Sequence, residues 1–163
     1  MATQGNTLLH KGIPTPKDAF ILIVKTEWNA HIVDELEKGC VDILTAAGAK
    51  FKTIVVPGAV EIPFAIKSYS RSNNTEPSAY IALGAVIKGD TPHFDYVCKS
   101  VIDGITFLNT TMDFPIIFGV LTVNDEEQAK ERIGGKHGHK GEEAAITALK
   151  MIEIDRKIHN QQL

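Results

Sequence analysis

The sequence predicts an α/β protein, a three-layer αβα sandwich built on a four-stranded parallel sheet. Three observations carry that expectation. Four β-rich apolar runs alternate with segments of helical period; the runs are nearly continuous rather than alternating; and 163 residues make one domain of ordinary size. Continuous apolar runs suit strands covered on both faces, as in a parallel sheet between helices.

The first run, FILIVKT at residues 20–26, starts the alternation. Over 30–47 the residues Ile32, Leu36, Cys40, Ile43 and Ala47 form one helical stripe. FKTIVV at 51–56 is the second strand, and 61–70 a short helix with Pro63 tolerated in its first turn. YIALGAVI at 80–87 is the third strand. The helix predicted over 91–109 carries Phe94, Val97, Val101, Ile105 and Leu108 on one face. IIFGVLTV at 116–123 is the fourth strand, followed by helices over 126–133 and 142–159 with a glycine-rich break between them. Residues 19–163 read as a single domain. Residues 1–18 read as an arm without clear period, either a disordered tail or a segment docking on another subunit.

Composition narrows the function classes. A hydrophobic fraction of 44% with 23% charged residues is ordinary for a globular chain. A formal net charge of −3 argues against nucleic-acid binding. Cys40 and Cys98 fall on helical segments and suggest neither a disulfide framework nor a zinc site. The N-terminus lacks the apolar stretch of a signal peptide, and no apolar run is long enough to cross a bilayer. A cytoplasmic protein is expected, with no membrane and no nucleic-acid partner.

In open α/β sheets, ligands bind beyond the carboxyl ends of the strands. Glu27-Trp28-Asn29, residues 57–61, residues 88–93 and the stretch after Val123 should converge there. Gly89 permits a tight turn, Thr91 is a good N-cap and Pro92 a favoured first helical residue. His93 then sits in a helical first turn, where free amides attract an anion. Alone, a histidine there is an ordinary polar residue; beside an anion-ready turn it becomes a candidate proton shuttle. Trp28 could fill core or stack on a ligand, and Glu61 could simply complement a helix dipole. Gly84 and Gly89 have the spacing of a P-loop, but Asp90 stands where that loop needs lysine, which removes the nucleotide reading. The basic run 132–141 reads as a flexible loop suited to receiving phosphate. His137 and His139 lack nearby partners to complete a ligand set, so no metal is expected.

Four motifs in order resemble the lumazine synthase family: VPGAVEIP at 56–63, LGAVIKGDTPHFDYV at 83–97, PIIFGVLT at 115–122 and ERIGGKHGHKGEEAA at 131–145. The resemblance spans residues 19–154 and implies a flavodoxin-like fold with active sites shared between subunits. Trp28 would stack on a pyrimidine. Ala59, Val60 and Glu61 would line the ribityl and ring pocket, and Ala85, Val86 and Ile87 would offer backbone contacts to the ring edge. Asp90 and Thr91 would sit at a phosphosugar, and His93 would transfer protons. From a neighbouring subunit, Phe118 would contact the ring and Arg132 the phosphate, with Lys140 beside them. Val60 stands where some members have an aromatic residue, and Asp90 where small residues are common.

The resemblance further implies condensation of 5-amino-6-ribitylaminouracil with 3,4-dihydroxy-2-butanone 4-phosphate to 6,7-dimethyl-8-ribityllumazine, without a cofactor. Its members form homopentamers, and some assemble twelve into an icosahedral shell that can enclose riboflavin synthase. The uninterrupted turn between Arg132 and Gly141 accompanies the shell form, and the arm would add a strand to a neighbouring subunit. Two other readings compete: a non-catalytic flavin or lumazine binder, and a shell-forming protein without activity. Conversion of the two substrates discriminates between them.

Overall fold

The computed structural model describes residues 9–72 and 75–161. Four strands form one sheet in the order β2-β1-β3-β4: β1 (Phe20–Thr26), β2 (Lys50–Val56), β3 (Ala79–Ile87) and β4 (Ile116–Val123). Every neighbouring pair is parallel. Helices α1 (Ala30–Ala46) and α5 (Lys140–His159) cover one face. Helices α2 (Ile62–Ser72) and α3 (His93–Thr111) cover the other. This is the expected αβα sandwich, with no strand reversed.

The central strands explain their own sequences. In β1, Ile21 and Ile23 enter the α1/α5 core, whereas Leu22 and Val24 enter the α2/α3 core. In β3, Ile81 and Leu83 oppose Tyr80 and Ala82 in the same way. Both side-chain sets are buried, so no polar alternation survives. The expectation fails for β2. As an edge strand it leaves Phe51 exposed and Val55 at 52% exposure. Phe51 and Val55 therefore present a surface on one face, while Ile54 and Val56 pack on the α2/α3 core.

The described part of the expected arm, residues 9–18, lies against its own chain: Lys150 Nζ donates to the Leu9 carbonyl at 2.7 Å, and Ile13 packs on the α1/α5 core. Residues 1–8 of that arm lie outside the described residues. Cys40 is buried in α1, and burial pushes its thiol up to about 12, an inert core position. Cys98, on α3, is only half-buried, although an apolar-periodic helix position reads as a reduced core thiol. Among the described residues no helix is long and apolar enough to cross a membrane.

After β4 the chain departs from expectation. The helix predicted over 126–133 is a single short α4 (Glu126–Lys130). Residues 132–141 are not a flexible loop: they fold as a small antiparallel hairpin of β5 (Ile133–Gly135) and β6 (Gly138–His139) that runs directly into α5. Helix α4 stops with Glu131 as its C-cap, and Gly134 at φ 116 and Gly138 at φ 75 take conformations that L side chains rarely adopt, which lets the hairpin turn. Gly141 then lets α5 approach α1 closely, because a Cβ there would run into the Leu36 carbonyl. Gly141→Ala should destabilise the fold by about 1–3 kcal/mol, since backbone cannot swing aside as a side chain does. Gly89, with open space around its Cα, is the control. Denaturation midpoints at fixed protein concentration check this; a Gly141→Ala midpoint equal to that of Gly89→Ala refutes it.

Candidate active site

The carboxyl ends of β1, β2 and β3 enclose a cavity of about 220 Å³. Its lining includes Trp28, Ala59, Ala85, Val86, Ile87, Thr91 and His93, all marked by the sequence, together with Thr26, Asn29, Gly58, Phe94 and Val97. The β1–β2 ladder runs on past the strands and shapes one wall: Glu27 N donates to Val56 O at 2.8 Å and Trp28 N to Pro57 O at 3.2 Å. A similar continuation, Lys88 N to Val123 O at 2.9 Å, fixes the chain leaving β3. Trp28 stands 74% exposed at the rim. Core filling is thereby excluded for its ring, which offers a flat apolar face to a ligand.

Helix α3 opens into this cavity. Regular helix begins at His93, with Pro92 as the cap, two residues later than the sequence predicted. Thr91 still acts near the end, its Oγ1 accepting from His93 N at 3.4 Å. The first-turn amides of a 19-residue helix thus face the strand ends beside an exposed imidazole, a favourable place for an anion. Asp90 is exposed just outside the turn.

Val60 and Glu61 lie on a short 3-10 turn (Ala59–Glu61) and are exposed. Glu61 lines a neighbouring hollow of about 540 Å³ with Phe64 and Tyr69. Its Oε2 also lies about 3.0 Å from where a Gly58 Cβ would be, so the carboxylate leans back over the cavity wall.

The remaining marked residues sit elsewhere. Phe118, 40% exposed on edge strand β4, lines a groove of about 400 Å³ with Lys140. Lys140 is held by Glu143, with Nζ at 2.6 and 2.7 Å from its two carboxylate oxygens. Arg132 lines a hollow of about 370 Å³ with Asp125, Glu131, Lys136 and His137, and its Nη1 donates to Gln128 O at 2.6 Å. Lys140 N donates to Arg132 O at 2.8 Å, so the hairpin ties these two cations together. His139 accepts from Glu142 N through Nδ1 at 3.4 Å and caps α5. Among the described residues, no group of three or more His, Cys, Asp or Glu side chains is arranged to hold a metal ion.

One chain therefore separates the marked residues into an aromatic and imidazole pocket at the strand ends, a groove with Phe118 and Lys140 at the β4 edge, and a hollow with Arg132. Thr26 carries no mark in the sequence, and Asn29 is marked only as part of a segment that converges on the strand ends, with no role assigned to its side chain. An asparagine starting a helix directly after a strand end is the signal that would single out Asn29.

Fold and cavity together define a flavodoxin-like α/β protein with an open cavity at the carboxyl edge of its sheet. The family model described as 6,7-dimethyl-8-ribityllumazine synthase matches residues 18–156. Curated proteins of that name are similar over most of their length. The one from Porphyromonas gingivalis is 47% identical over 150 residues, covering 90% of this chain and 92% of the relative. That from Bacteroides fragilis is 49% identical over 135 residues, covering 81% and 93%. That from Christiangramia forsetii is 44% identical over 160 residues, covering 94% and 95%. The chain belongs to the 6,7-dimethyl-8-ribityllumazine synthase family.

Proposed function

We propose that this protein is a transferase of riboflavin biosynthesis that condenses 5-amino-6-ribitylaminouracil with 3,4-dihydroxy-2-butanone 4-phosphate to 6,7-dimethyl-8-ribityllumazine. The observation that carries this reading is the pocket at the strand ends, which an exposed Trp28 lines together with His93 and the first turn of α3 in a chain of this family. In the reaction, the 5-amino group attacks the ketone and loses water to form an imine. Phosphate leaves, and the ribityl-bearing nitrogen closes the second ring with loss of a second water.

In this assignment Trp28 stacks on the pyrimidine, Ala85, Val86 and Ile87 meet its edge through backbone, and Ala59, Val60 and Glu61 hold the ribityl chain. Asp90 and Thr91 border the phosphosugar, and His93 moves protons at the imine and at the leaving phosphate. Holding two reactants in register contributes about 7–11 kcal/mol to such a condensation. The neighbour supplies Phe118 to the ring, Arg132 to the phosphate and Lys140 beside both. That division fits the separation of these residues from the strand-end pocket on one chain. It also fits the exposed apolar residues of β2, Phe51 and Val55, which an adjoining subunit or its N-terminal arm would cover. The assembly is a homopentamer of a catalytic domain, residues 19–163, with an arm of residues 1–18. Twelve pentamers form the shell, with riboflavin synthase as a candidate partner inside a cytoplasmic particle. Mixing the two substrates and following lumazine absorbance tests the activity. Absence of product with binding retained would favour the non-catalytic reading.

Arg132→Ala should raise the KM for the phosphosugar roughly ten- to a hundredfold, because a charge-assisted hydrogen bond contributes about 1.5–3 kcal/mol. The pyrimidine KM should hold within about twofold, since that ring carries no charge for the guanidinium to meet. Equal rises in both constants would remove Arg132 from the phosphate.

A further inference from the structure

Trp28 presents a mechanical problem. At 74% exposure its ring has little packing to hold it, yet a stacking platform is effective only when it is rigid before the ligand arrives. The support comes from the backbone beneath it. Besides the two ladder bonds to Val56 and Pro57, two side chains grip the segment. The Thr26 hydroxyl donates to Trp28 O at 3.1 Å, and Asn29 Nδ2 donates to Ala85 O at 2.8 Å. Thr26 is 2% exposed, a polar side chain sealed in the core with its hydroxyl committed to this one task.

Asn29 is the more telling of the two. It starts α1 from the left-handed region, φ 58 and ψ 38, where asparagine is among the few tolerated L residues. An asparagine at a helix start ordinarily turns its side chain onto an amide of the first turn. Asn29 makes no such bond. Its amide instead crosses to the adjacent strand and binds the carbonyl of Ala85, in the stretch where β3 turns into the cavity wall. Ala85, on β3, and Trp28, just past the end of the neighbouring β1, line the same cavity.

We propose that Asn29 is a positioning residue: its side-chain amide locks the Trp28 loop to the end of β3, fixing the distance between the indole and the Ala85–Ile87 edge so that a flat heterocycle can slot between them. The inference rests on the reading of this cavity as the pyrimidine half-site. Binding is then paid in advance by the fold, and the tie acts on ground state and transition state alike.

The test separates the tie from the backbone. Asn29→Gly keeps the left-handed conformation and loses the amide; Asn29→Asp keeps the shape but sets a carboxylate oxygen against the Ala85 carbonyl. Trp28 is the single tryptophan of the chain, so its fluorescence reports on this loop alone. Both variants should lower the fluorescence anisotropy of Trp28 in ligand-free protein. Both should raise the pyrimidine KM about three- to tenfold, with kcat and the phosphosugar KM within about twofold, as expected for one lost hydrogen bond that served uniform binding. Wild-type anisotropy and pyrimidine KM in folded variants would overturn the proposal and leave Asn29 a purely structural helix start. The anisotropy needs no turnover, so an inactive wild-type chain would refute the catalytic reading while still testing the tie. Should both Asn29 variants fail to fold, Thr26→Val removes the companion bond to Trp28 O. Lowered anisotropy there supports the clamp, and wild-type anisotropy refutes it.

Discussion

His93→Ala is expected to lower kcat by about 10²–10⁴-fold, the range that a positioned acid–base group contributes. Its side chain is exposed at the first residue of α3 and lines the cavity with Trp28 and Thr91. Loss of water at the imine and departure of phosphate both need a proton delivered at a heteroatom. The structure brings no other histidine to this cavity among the described residues. Binding of the lumazine product should persist, because Trp28 and the backbone of β3 hold the ring. Quenching of the single tryptophan on titration with lumazine measures that affinity, and turnover assays measure the rest. A variant that turns over at the wild-type rate would return His93 to an ordinary polar residue at a helix start.

Much of the fold was legible because burial on two faces leaves a plain signature. Strands β1 and β4 begin and end at the residues their apolar runs marked. The misreadings have specific causes. FKTIVV looks the same whether its apolar side chains are covered by helices of its own chain or by another chain. Nothing local distinguishes an edge strand from a central one, so β2 was taken as buried. The helix over 126–133 reads too long because Ile133 continues the period; α4 stops at Lys130, and the positive-φ backbone of Gly134 and Gly138 that shapes the hairpin leaves no trace in hydropathy. Of the site, the motifs marked side chains that face a ligand. They were silent on Asn29 and Thr26, whose bonds run to backbone carbonyls, one of them 56 residues away. Sequence periodicity registers what a residue packs against, whereas such ties depend on where a distant strand happens to end.

The second large effect concerns the division of the site. If His93 and Trp28 act with Phe118 and Arg132 of a neighbour, two separately impaired variants should restore activity together. His93→Ala and Arg132→Ala chains, unfolded, mixed in equal amounts and refolded, would populate one ring at random. A heterologous interface pairs the strand-end pocket of one chain with the β4-edge face of the next, so each site samples two independent subunits. About a quarter of the interfaces would then carry neither defect and about a quarter both, if the subunits associate without preference. Assayed at phosphosugar well below the wild-type KM, the expected result is activity near a quarter of wild type or above, from parents reduced by about 10²–10⁴-fold in kcat for His93→Ala and about ten- to a hundredfold in phosphosugar use for Arg132→Ala. Mass measurement confirms that the chains co-assemble, and omission of the unfolding step supplies the unmixed control. The geometry makes this outcome demanding: Phe118 and Lys140 share a groove that does not include Trp28 or His93, so a complete site within one chain would require their surroundings to rearrange. Co-assembled rings no more active than either parent would refute the shared site and leave Arg132 without a phosphate to bind.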